Sequence, residues 1–339
     1  MRKPIILITG ANGEMGHGLI SALNKSGISN IIAMDLQTLD ATISDKVMEP
    51  IIGNVLDKTL MEQINGEYEI SAIYHLAALL STRAEFSPQS AHDVNVDGTL
   101  NLLTLAAEQG RSQGKAIKFF FPSSIAVYGL PNLETKKSAA AILENQFCTP
   151  ETMYGCNKIY SELLGSYFEK NYQRLAAQDL SGFVDFRSIR FPGIISAMTI
   201  PTGGTSDFAP EMLHAAAKGE KYDCFVRDDT QIPFMTMPDA ISAISDLMRA
   251  PKKNLTQSVY NVRAFAPTAA ELREKTLSFF PNAKIGTEIS EKRQAIVDSW
   301  PQDCDDSAAK TDWNWQPKHD FETAFEEYLI PNITAIYNV

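Results

Sequence analysis

Tyr154 and Lys158 are the residues of this 339-residue chain whose types and spacing best fit a catalytic role. They lie four residues apart in a predicted helix over 153–172, so their side chains share one face of it. A phenol with a pKa near 10 is a poor base at pH 7, and lowering that pKa by three units requires about 4 kcal/mol of differential stabilisation of the phenolate. A neighbouring ammonium can supply part of this stabilisation. The pair is a candidate for proton transfer with a hydroxyl, although alone it would more often be a surface coincidence.

A serine hydroxyl is a second candidate. Ser123 and Ser124 follow a predicted strand over 117–121 and precede Tyr128. The carboxyl ends of parallel strands are where such sheets hold their ligands, so Ser124 could share the hydrogen-bond network of Tyr154. The alternative is a serine that only caps a turn.

Three glycines, Gly10, Gly13 and Gly16, join a predicted strand over 5–8 to a predicted helix over 16–26. In this context they permit a tight turn, a close approach of the backbone to a pyrophosphate, and close packing of helix and strand. The helix N-terminus then offers N–H groups and a positive dipole end to the phosphates. The same predicted cofactor site includes Asn12, Glu14 and Met15. The turn predicts dinucleotide binding, and the alternative is a glycine turn without a ligand.

Asp35 closes a predicted strand over 30–34, at the position where a ribose-binding acid is expected. A carboxylate there accepts hydrogen bonds from the ribose hydroxyls and repels a 2′-phosphate. Leu36 and Gln37 follow it, rather than an arginine, so NAD is favoured over NADP. An oxidised nicotinamide would also add positive charge near a Tyr154 phenolate. The alternative is a solvated acid at the end of a strand.

These residues are placed by alternating strand and helix patterns, which predict an α/β fold with a doubly wound parallel sheet of the Rossmann type. The predicted strands lie at 5–8, 30–34, 47–52, 70–76, 117–121 and 184–190, and the predicted helices at 16–26, 94–109, 153–172, 210–218, 239–249 and 268–278. We expect an NAD-binding domain over 1–190, to which some later segments return, and a smaller substrate-binding or capping region over 191–339. The polar segment 171–182 is predicted to be a surface insertion.

Composition excludes several other classes of protein. The net charge of −11, with no basic run, argues against nucleic-acid binding. The sequence contains no apolar stretch near the ~20 residues that span a bilayer and no pattern typical of a signal peptide, so we expect a cytoplasmic protein without membrane contact. The spacing of the four cysteines favours neither a metal site nor a disulfide scaffold.

Taken together, the glycine turn, Ser124 and the Tyr154–Lys158 pair resemble those of an extended short-chain dehydrogenase/reductase. Further stretches at 75–78, 95–99, 306–309 and 315–317 resemble motifs of the same superfamily. The resemblance implies a Rossmann domain, a small C-terminal substrate domain, and hydride transfer with the tyrosine as acid or base.

Four stretches, at 122–129, 190–196, 203–207 and 293–301, are similar to the epimerase-like L-threonine 3-dehydrogenases. This resemblance implies zinc-free oxidation of L-threonine to 2-amino-3-oxobutyrate with NAD. It also implies a homodimer, formed through a helix pair that includes the tyrosine helix. By the same resemblance, Tyr154 is the base, Lys158 orients it and contacts the ribose, and Ser124 binds the substrate hydroxyl. Ser81 and Thr205 match positions that touch the amino acid.

The resemblance also implies the remaining cofactor contacts. The backbone of Ile194 matches a position at the nicotinamide carboxamide, and Asn54 with Val55 matches the pair at the adenine, where Asp is more usual than Asn. The motifs at 75–78 and 95–99 add Leu76, Ala77, Ala78 and Asn95.

The chemistry of threonine agrees with this resemblance, but two alternatives stay open. Hydroxyls and N–H groups at 203–206 could hold a carboxylate, and Asp207 could face the ammonium or simply cap the loop. A nucleotide-sugar epimerase or dehydratase would need basic residues for a diphosphate. The stretch 192–217 contains none, whereas Arg227, Arg249 and Arg263 keep that alternative open. An NAD-sensing regulator without catalysis would typically lose the Tyr–Lys pair.

Overall fold

The computed structural model describes residues 2–201 and 203–337. Its strands are β1 Lys3–Thr9, β2 Ile31–Asp35, β3 Glu49–Ile52, β4 Tyr68–His75, β5 Ile117–Ser124, β6 Ala141–Ile142, β7 Val184–Phe191, β8 Gly193–Ile195, β9 Tyr222–Cys224, β10 Phe234–Thr236, β11 Val259–Asn261, β12 Ile285–Thr287 and β13 Asp303–Cys304. Its helices are α1 Glu14–Lys25, α2 Ala41–Ser44, α3 Lys58–Glu67, α4 Ser81–Phe86, α5 Pro88–His92, α6 Gly98–Gln113, α7 Leu133–Ala139, α8 Met153–Lys170, α9 Phe208–Lys218, α10 Met237–Arg249, α11 Ala269–Phe279, α12 Glu291–Ser299, α13 Ser307–Trp313, α14 Phe321–Thr323 and α15 Ile330–Tyr337.

Within the described residues, seven strands form the central sheet in the order β3-β2-β1-β4-β5-β7-β11. β1 pairs in parallel with β2 and with β4, and parallel pairing continues outward to β3 and β5. The chain runs outward from β1 to β3 and then crosses back to β4 on the other side of β1. This reversal of strand order is the switch point at which doubly wound sheets bind dinucleotides. The predicted Rossmann-type fold is confirmed.

The apolar runs of the sequence are the buried interior of this sheet. Nearly continuous apolar strands are typical of a parallel sheet covered on both faces. The core cluster draws on β1, β4, β5 and the helices α3 and α6, with members that include Ile5, Leu7, Ile70, Ile73, Leu102, Ala106, Phe119 and Phe121. This core fixes the carboxyl ends of β1, β4 and β5, where the candidate site residues lie.

The described chain divides into two compact units. The first contains the chain through Ser123, Cys156–Ile189 and Ile241–Val259, and the second contains Ser124–Gly155, Arg190–Ala240 and the chain from Tyr260 onward. One change of unit falls between Ile189 and Arg190, and the division into an NAD-binding domain and a substrate-binding region stays a prediction. The segment Ser124–Gly155 differs from that expectation, because its contacts are with the second unit.

Most predicted elements are present with shifted ends. α1 begins at Glu14 rather than at residue 16, because Gly13 already occupies the N-cap. The helix predicted over 94–109 is a longer helical stretch that begins with α5 at Pro88 and continues through a π-helical turn at Asp93–Asp97 into α6. The segment 171–182, predicted to be a surface insertion, forms turns and bends that are mostly exposed. Among the described residues, no helix is long and apolar enough to cross a membrane.

Candidate active site

The glycine turn lies against the chain that leaves β4. Gly10 has a φ of 69°, and a Cβ atom there would lie 2.6 Å from the backbone nitrogen of Ala77. Only glycine fits both the left-handed backbone and this close approach. α1 begins directly after Gly13, and no described side chain caps its first N–H groups. The uncapped helix end fits the pyrophosphate of a dinucleotide.

The Asp35 carboxylate lies beside this turn. Its Oδ2 accepts a hydrogen bond from the backbone N–H of Asn12 at 2.9 Å. The Asn12 side chain donates to the carbonyl of Thr38 at 3.0 Å and accepts from the N–H of Asp40 at 2.9 Å. Asn12 therefore ties the turn to the loop after β2. The partly exposed Asp35 carboxylate fits the diol of a ribose, so these residues fit NAD.

A buried histidine supports the turn from β4. His75 is hydrogen-bonded through Nδ1 to Thr9 at 2.8 Å and through Nε2 to Thr99 at 3.0 Å. Burial, together with the nearby Lys158 charge, lowers the pKa of His75 to about 3. The imidazole is therefore neutral at physiological pH and acts as a link between β1, β4 and α6.

Asn95 holds the segment that follows β4. Its Oδ1 accepts from the N–H of Leu79 at 2.8 Å, and its Nδ2 donates to the Leu79 carbonyl at 3.0 Å and to Asn157 Oδ1 at 3.3 Å. The segment so fixed contains Leu76, Ala77 and Ala78, and Ser81 begins α4 just beyond it.

The predicted adenine pair follows β3. Asn54 accepts a hydrogen bond from the N–H of Leu56 at 3.0 Å through Oδ1, which forms a turn. Val55 is buried against Gly98 at the start of α6, and its carbonyl accepts from the side chain of Asn101 at 3.0 Å. The structure thus gathers the glycine turn, Asp35, the segment after β4 and this pair at the carboxyl ends of neighbouring strands.

Lys158 is buried, although it carries a titratable amine. Its Nζ donates to the carbonyl of Pro122 at 2.6 Å and lies 4.5 Å from the centroid of the Phe121 ring. Burial lowers the pKa of the ammonium to about 7, and the carboxylate of Glu162 opposes that shift. Both contacts place the amine against the end of β5.

Tyr154 lies in the first turn of α8, one turn before Lys158. Burial raises the pKa of its hydroxyl above the ordinary value of 10. A Cβ atom at the next residue, Gly155, would collide with the carbonyl oxygen of Ala126. The start of α8 therefore packs closely on the turn after Ser124, whose Oγ accepts from the N–H of Ala126 at 3.2 Å. Ser124 therefore caps this turn, which is the alternative role that the sequence analysis gave it. Because its oxygen is the acceptor in this contact, the hydroxyl proton can still be donated to another group.

The family model for NAD dependent epimerases and dehydratases matches residues 6–262. The chain belongs to this NAD dependent epimerase/dehydratase family. Over 319 residues it is 34% identical to the mitochondrial L-threonine 3-dehydrogenase of Bos taurus, covering 94% of this chain and 79% of that protein. The resemblance predicted from the motifs is confirmed at the level of the family. Because the bovine relative is named mitochondrial, the cytoplasmic location stays a prediction.

Solved structures give the same result. A monomeric L-threonine 3-dehydrogenase from a metagenome, in its apo form, matches with a TM-score of 0.84 at 34% identity, covering 98% of this chain and 99% of that one. The holo form of an L-threonine dehydrogenase from Cupriavidus necator matches with a TM-score of 0.84 at 32% identity, covering 98% of this chain and 100% of that one.

Within the second unit of this family member, a loop at 203–207 precedes α9. Thr205 is buried in it, and the N–H of Gly204 donates to Asp207 Oδ2 at 2.6 Å. The carboxylate of Asp207 thus closes the loop, although Asp207 makes no side-chain capping bond to α9, at whose N-cap it stands. Arg293 of α12 donates from Nη2 to the Gly204 carbonyl at 2.5 Å and stacks on the Phe225 ring at 3.3 Å. Ile194 lies in β8, opposite Met235 of β10.

Two residues that the sequence did not single out also matter here. Glu162 accepts from Ser123 Oγ at 2.5 Å, and Arg293 anchors the loop at 203–207. Glu162 could have been suspected from its place one helical turn after Lys158, whereas the role of Arg293 depends on a contact between distant parts of the chain. In the described part of the chain, no group of three or more His, Cys, Asp or Glu side chains could hold a metal ion.

Proposed function

We propose that this chain is an NAD-dependent L-threonine 3-dehydrogenase, which oxidises the 3-hydroxyl of L-threonine to give 2-amino-3-oxobutyrate. The observation that carries the proposal is the Tyr154–Lys158 pair on α8, with the Lys158 amine held 2.6 Å from the Pro122 carbonyl, two residues before Ser124. The Bos taurus relative and the metagenomic structure, which match nearly the whole chain, are named L-threonine 3-dehydrogenases, which supports this substrate within the family.

In the proposed reaction, Tyr154 as a phenolate takes the proton of the 3-hydroxyl. Lys158 stabilises the phenolate from one helical turn away, and the Ser124 hydroxyl donates to the oxygen that becomes the ketone. NAD⁺, when bound, supplies the hydride acceptor for C3. The glycine turn would hold its pyrophosphate at the start of α1, and Asp35 would hold the adenosine ribose and repel a 2′-phosphate.

The ion pairs of three arginines weaken the epimerase alternative. Arg227 forms a bidentate ion pair with Asp298 at 2.8 and 2.9 Å. Arg249 pairs with Asp246 at 2.6 Å, and Arg263 pairs with Asp303 at 3.3 Å. A nucleotide-sugar diphosphate would have to compete with these carboxylates for each guanidinium. A regulator without catalysis is also disfavoured, since such a protein has no need of a buried amine beside a tyrosine.

We further propose that the protein forms a homodimer through α8. Tyr160, Leu163 and Tyr167 lie three and four residues apart on that helix, so they share one face, and their side chains are 50%, 64% and 42% exposed. Leu100 on α6 is also exposed. Exposed apolar faces of this kind mark contact surfaces between proteins. One solved relative is described as monomeric, so the oligomeric state needs its own measurement.

The test of the activity is NADH formation, measured as absorbance at 340 nm with NAD⁺ and each of several alcohols. We expect a rise with L-threonine, less or none with D-threonine and L-serine, and none with UDP-glucose. L-threo-3-phenylserine measures how large a substituent at C3 the site accepts. Conversion of UDP-glucose to UDP-galactose without oxidation of L-threonine would overturn the proposal in favour of an epimerase.

A further inference from the structure

Glu162 is a buried carboxylate that takes no part in the proposed reaction. It lies four residues after Lys158 on α8, so both side chains leave the same face of the helix. Lys158 is 2% exposed and Glu162 is 3% exposed. Charged side chains of either type are almost never buried to this extent unless they are paired.

Both side chains contact the end of β5. Ser123 Oγ donates to Glu162 Oε1 at 2.5 Å, and Lys158 Nζ donates to the carbonyl of the preceding Pro122 at 2.6 Å. The Phe121 ring lies beneath the same amine. Three consecutive residues of β5 are thus held by two side chains of one helix, directly before Ser124.

Among the groups around Lys158, Glu162 supplies the negative charge that compensates the ammonium. A carbonyl oxygen and an aromatic face stabilise an ammonium only in part, and a buried ion without an opposite charge is costly. His75 faces Lys158 from β4 and is neutral, since its pKa is about 3. The Tyr154 phenol on the same helix is also neutral, since burial raises its pKa. Glu162 is the carboxylate whose charge raises the pKa of Lys158 against the effect of burial.

We propose that Glu162 is a positioning residue for catalysis, whose carboxylate keeps Lys158 charged and, through Ser123, fixes the end of β5 that carries Ser124. This inference rests on the proposed function, in which a charged Lys158 stabilises the Tyr154 phenolate. A glutamine would satisfy the hydroxyl of Ser123 equally well, so the hydrogen bond alone does not explain a glutamate at this position.

Two variants separate the charge from the hydrogen bond. Glu162→Gln removes the charge and keeps the shape and an acceptor for Ser123. Ser123→Ala removes the hydrogen bond and keeps the charge. If Glu162 acts only through its shape and its hydrogen bond to Ser123, Glu162→Gln has little effect and Ser123→Ala has the larger one. The proposal instead assigns the change in the charge of Lys158 to Glu162→Gln alone.

The first measurement is urea unfolding of the protein without cofactor, in a double-mutant cycle of Glu162→Gln and Lys158→Met at pH 6 and pH 9. The folded pKa of Lys158 is lower than its unfolded value, so protonating it at pH 6 opposes folding and Glu162 offsets that cost. We therefore expect the two substitutions to be non-additive at pH 6 and close to additive at pH 9. Additivity at both pH values, or the same coupling at both, overturns the proposal.

The second measurement is the pH profile of kcat/KM for L-threonine. We expect the whole profile, which requires Tyr154 without its proton and Lys158 with it, to move to lower pH by about one unit in Glu162→Gln, because roughly one charge–charge interaction is lost. Ser123→Ala should lower kcat without moving the profile. A Glu162→Gln profile that superimposes on the wild-type profile contradicts the proposal. If the wild type does not oxidise L-threonine, the proposed function fails, while the unfolding cycle still decides the role of Glu162.

Discussion

In the proposed reaction, the hydroxyl of Tyr154 loses its proton at a position where burial raises its pKa. The value of about 4 kcal/mol, which refers to an ordinary tyrosine at pH 7, is therefore a lower bound on the stabilisation that a phenolate needs here. Lys158 is adjacent on the helix, but burial lowers its own pKa to about 7. The proposed reaction therefore requires Tyr154 to have lost its proton while Lys158 keeps its own, against the effect of burial on both groups.

Tyr154→Phe tests the assignment of the base. We expect kcat for L-threonine to fall by roughly 10²–10⁴-fold, the usual contribution of a general base. The affinity for NADH, measured by fluorescence titration, should change little, because phenylalanine keeps the ring and its packing. Ser138→Ala, an exposed hydroxyl on α7, is the matched control and should keep the wild-type rate. A Tyr154→Phe enzyme within a few-fold of the wild-type rate would exclude Tyr154 as the base.

At the scale of single residues, the sequence predicts a role correctly where that role depends on residues nearby in the chain. Gly10 and the Tyr154–Lys158 pair are recognised from spacing alone, because a turn and one helical face are local structures. Ser123 and Glu162 are 39 residues apart, and Arg293 is 89 residues from Gly204. Such contacts depend on how the elements pack, which spacing does not reveal.

Elements fix where these side chains act. β1, β4 and β5 end together, and α8 is joined to the end of β5 by two buried side chains. The strands β1–β5 and β7 and the helices α1, α6, α8, α9, α10 and α11 were predicted from their apolar periodicity. The strands of two or three residues, such as β6 and β13, were not, because so short a strand has no periodicity and exists only by pairing with a distant segment.

Arg293→Gln tests whether α12 holds the loop at 203–207 in its working form. The guanidinium contacts the Gly204 carbonyl and the Phe225 ring, and glutamine is too short and uncharged to keep both contacts. Because Thr205 lies in this loop, we expect KM for L-threonine to rise by about tenfold, the loss of one charged hydrogen bond, with NADH affinity unchanged.

The control for this prediction is Arg249→Gln, since that guanidinium is 68% exposed and pairs with Asp246 on the surface. We expect its KM to equal that of the wild type. If Arg293→Gln leaves KM unchanged, or raises it no more than Arg249→Gln does, the loop does not depend on Arg293.

At the scale of the whole molecule, the sequence predicts a change at residue 190 but does not indicate that Ser124–Gly155 belongs to the second unit. This segment follows β5 directly, so its position in the chain suggests the first unit. Its side-chain contacts lie elsewhere: Tyr128 donates to Asn261 at 2.7 Å, and Arg190 donates to the carbonyl of Glu144 at 2.6 Å. Such buried polar contacts join residues that are far apart in the chain, and no local pattern encodes them.

The exposed face of α8 gives the last prediction, that the wild-type protein is a dimer and Leu163→Arg is a monomer. Leu163 is 64% exposed between Tyr160 and Tyr167, and a guanidinium there would have to be desolvated within an apolar contact. Sedimentation velocity measures the mass of each form. Leu175→Arg is the control, since Leu175 is fully exposed in the segment 171–183, outside the proposed interface, and this variant should stay dimeric.

The alternative outcomes are equally definite. A wild-type monomer would place this chain with the monomeric metagenomic relative and leave the α8 face without a partner. A Leu163→Arg dimer would place the interface on another surface. Because Lys158 and Glu162 lie on the buried face of the same helix, separation of the Leu163→Arg subunits should leave NADH affinity unchanged. A monomer that also loses NADH binding would instead mean that contact between subunits holds α8 in position against β5.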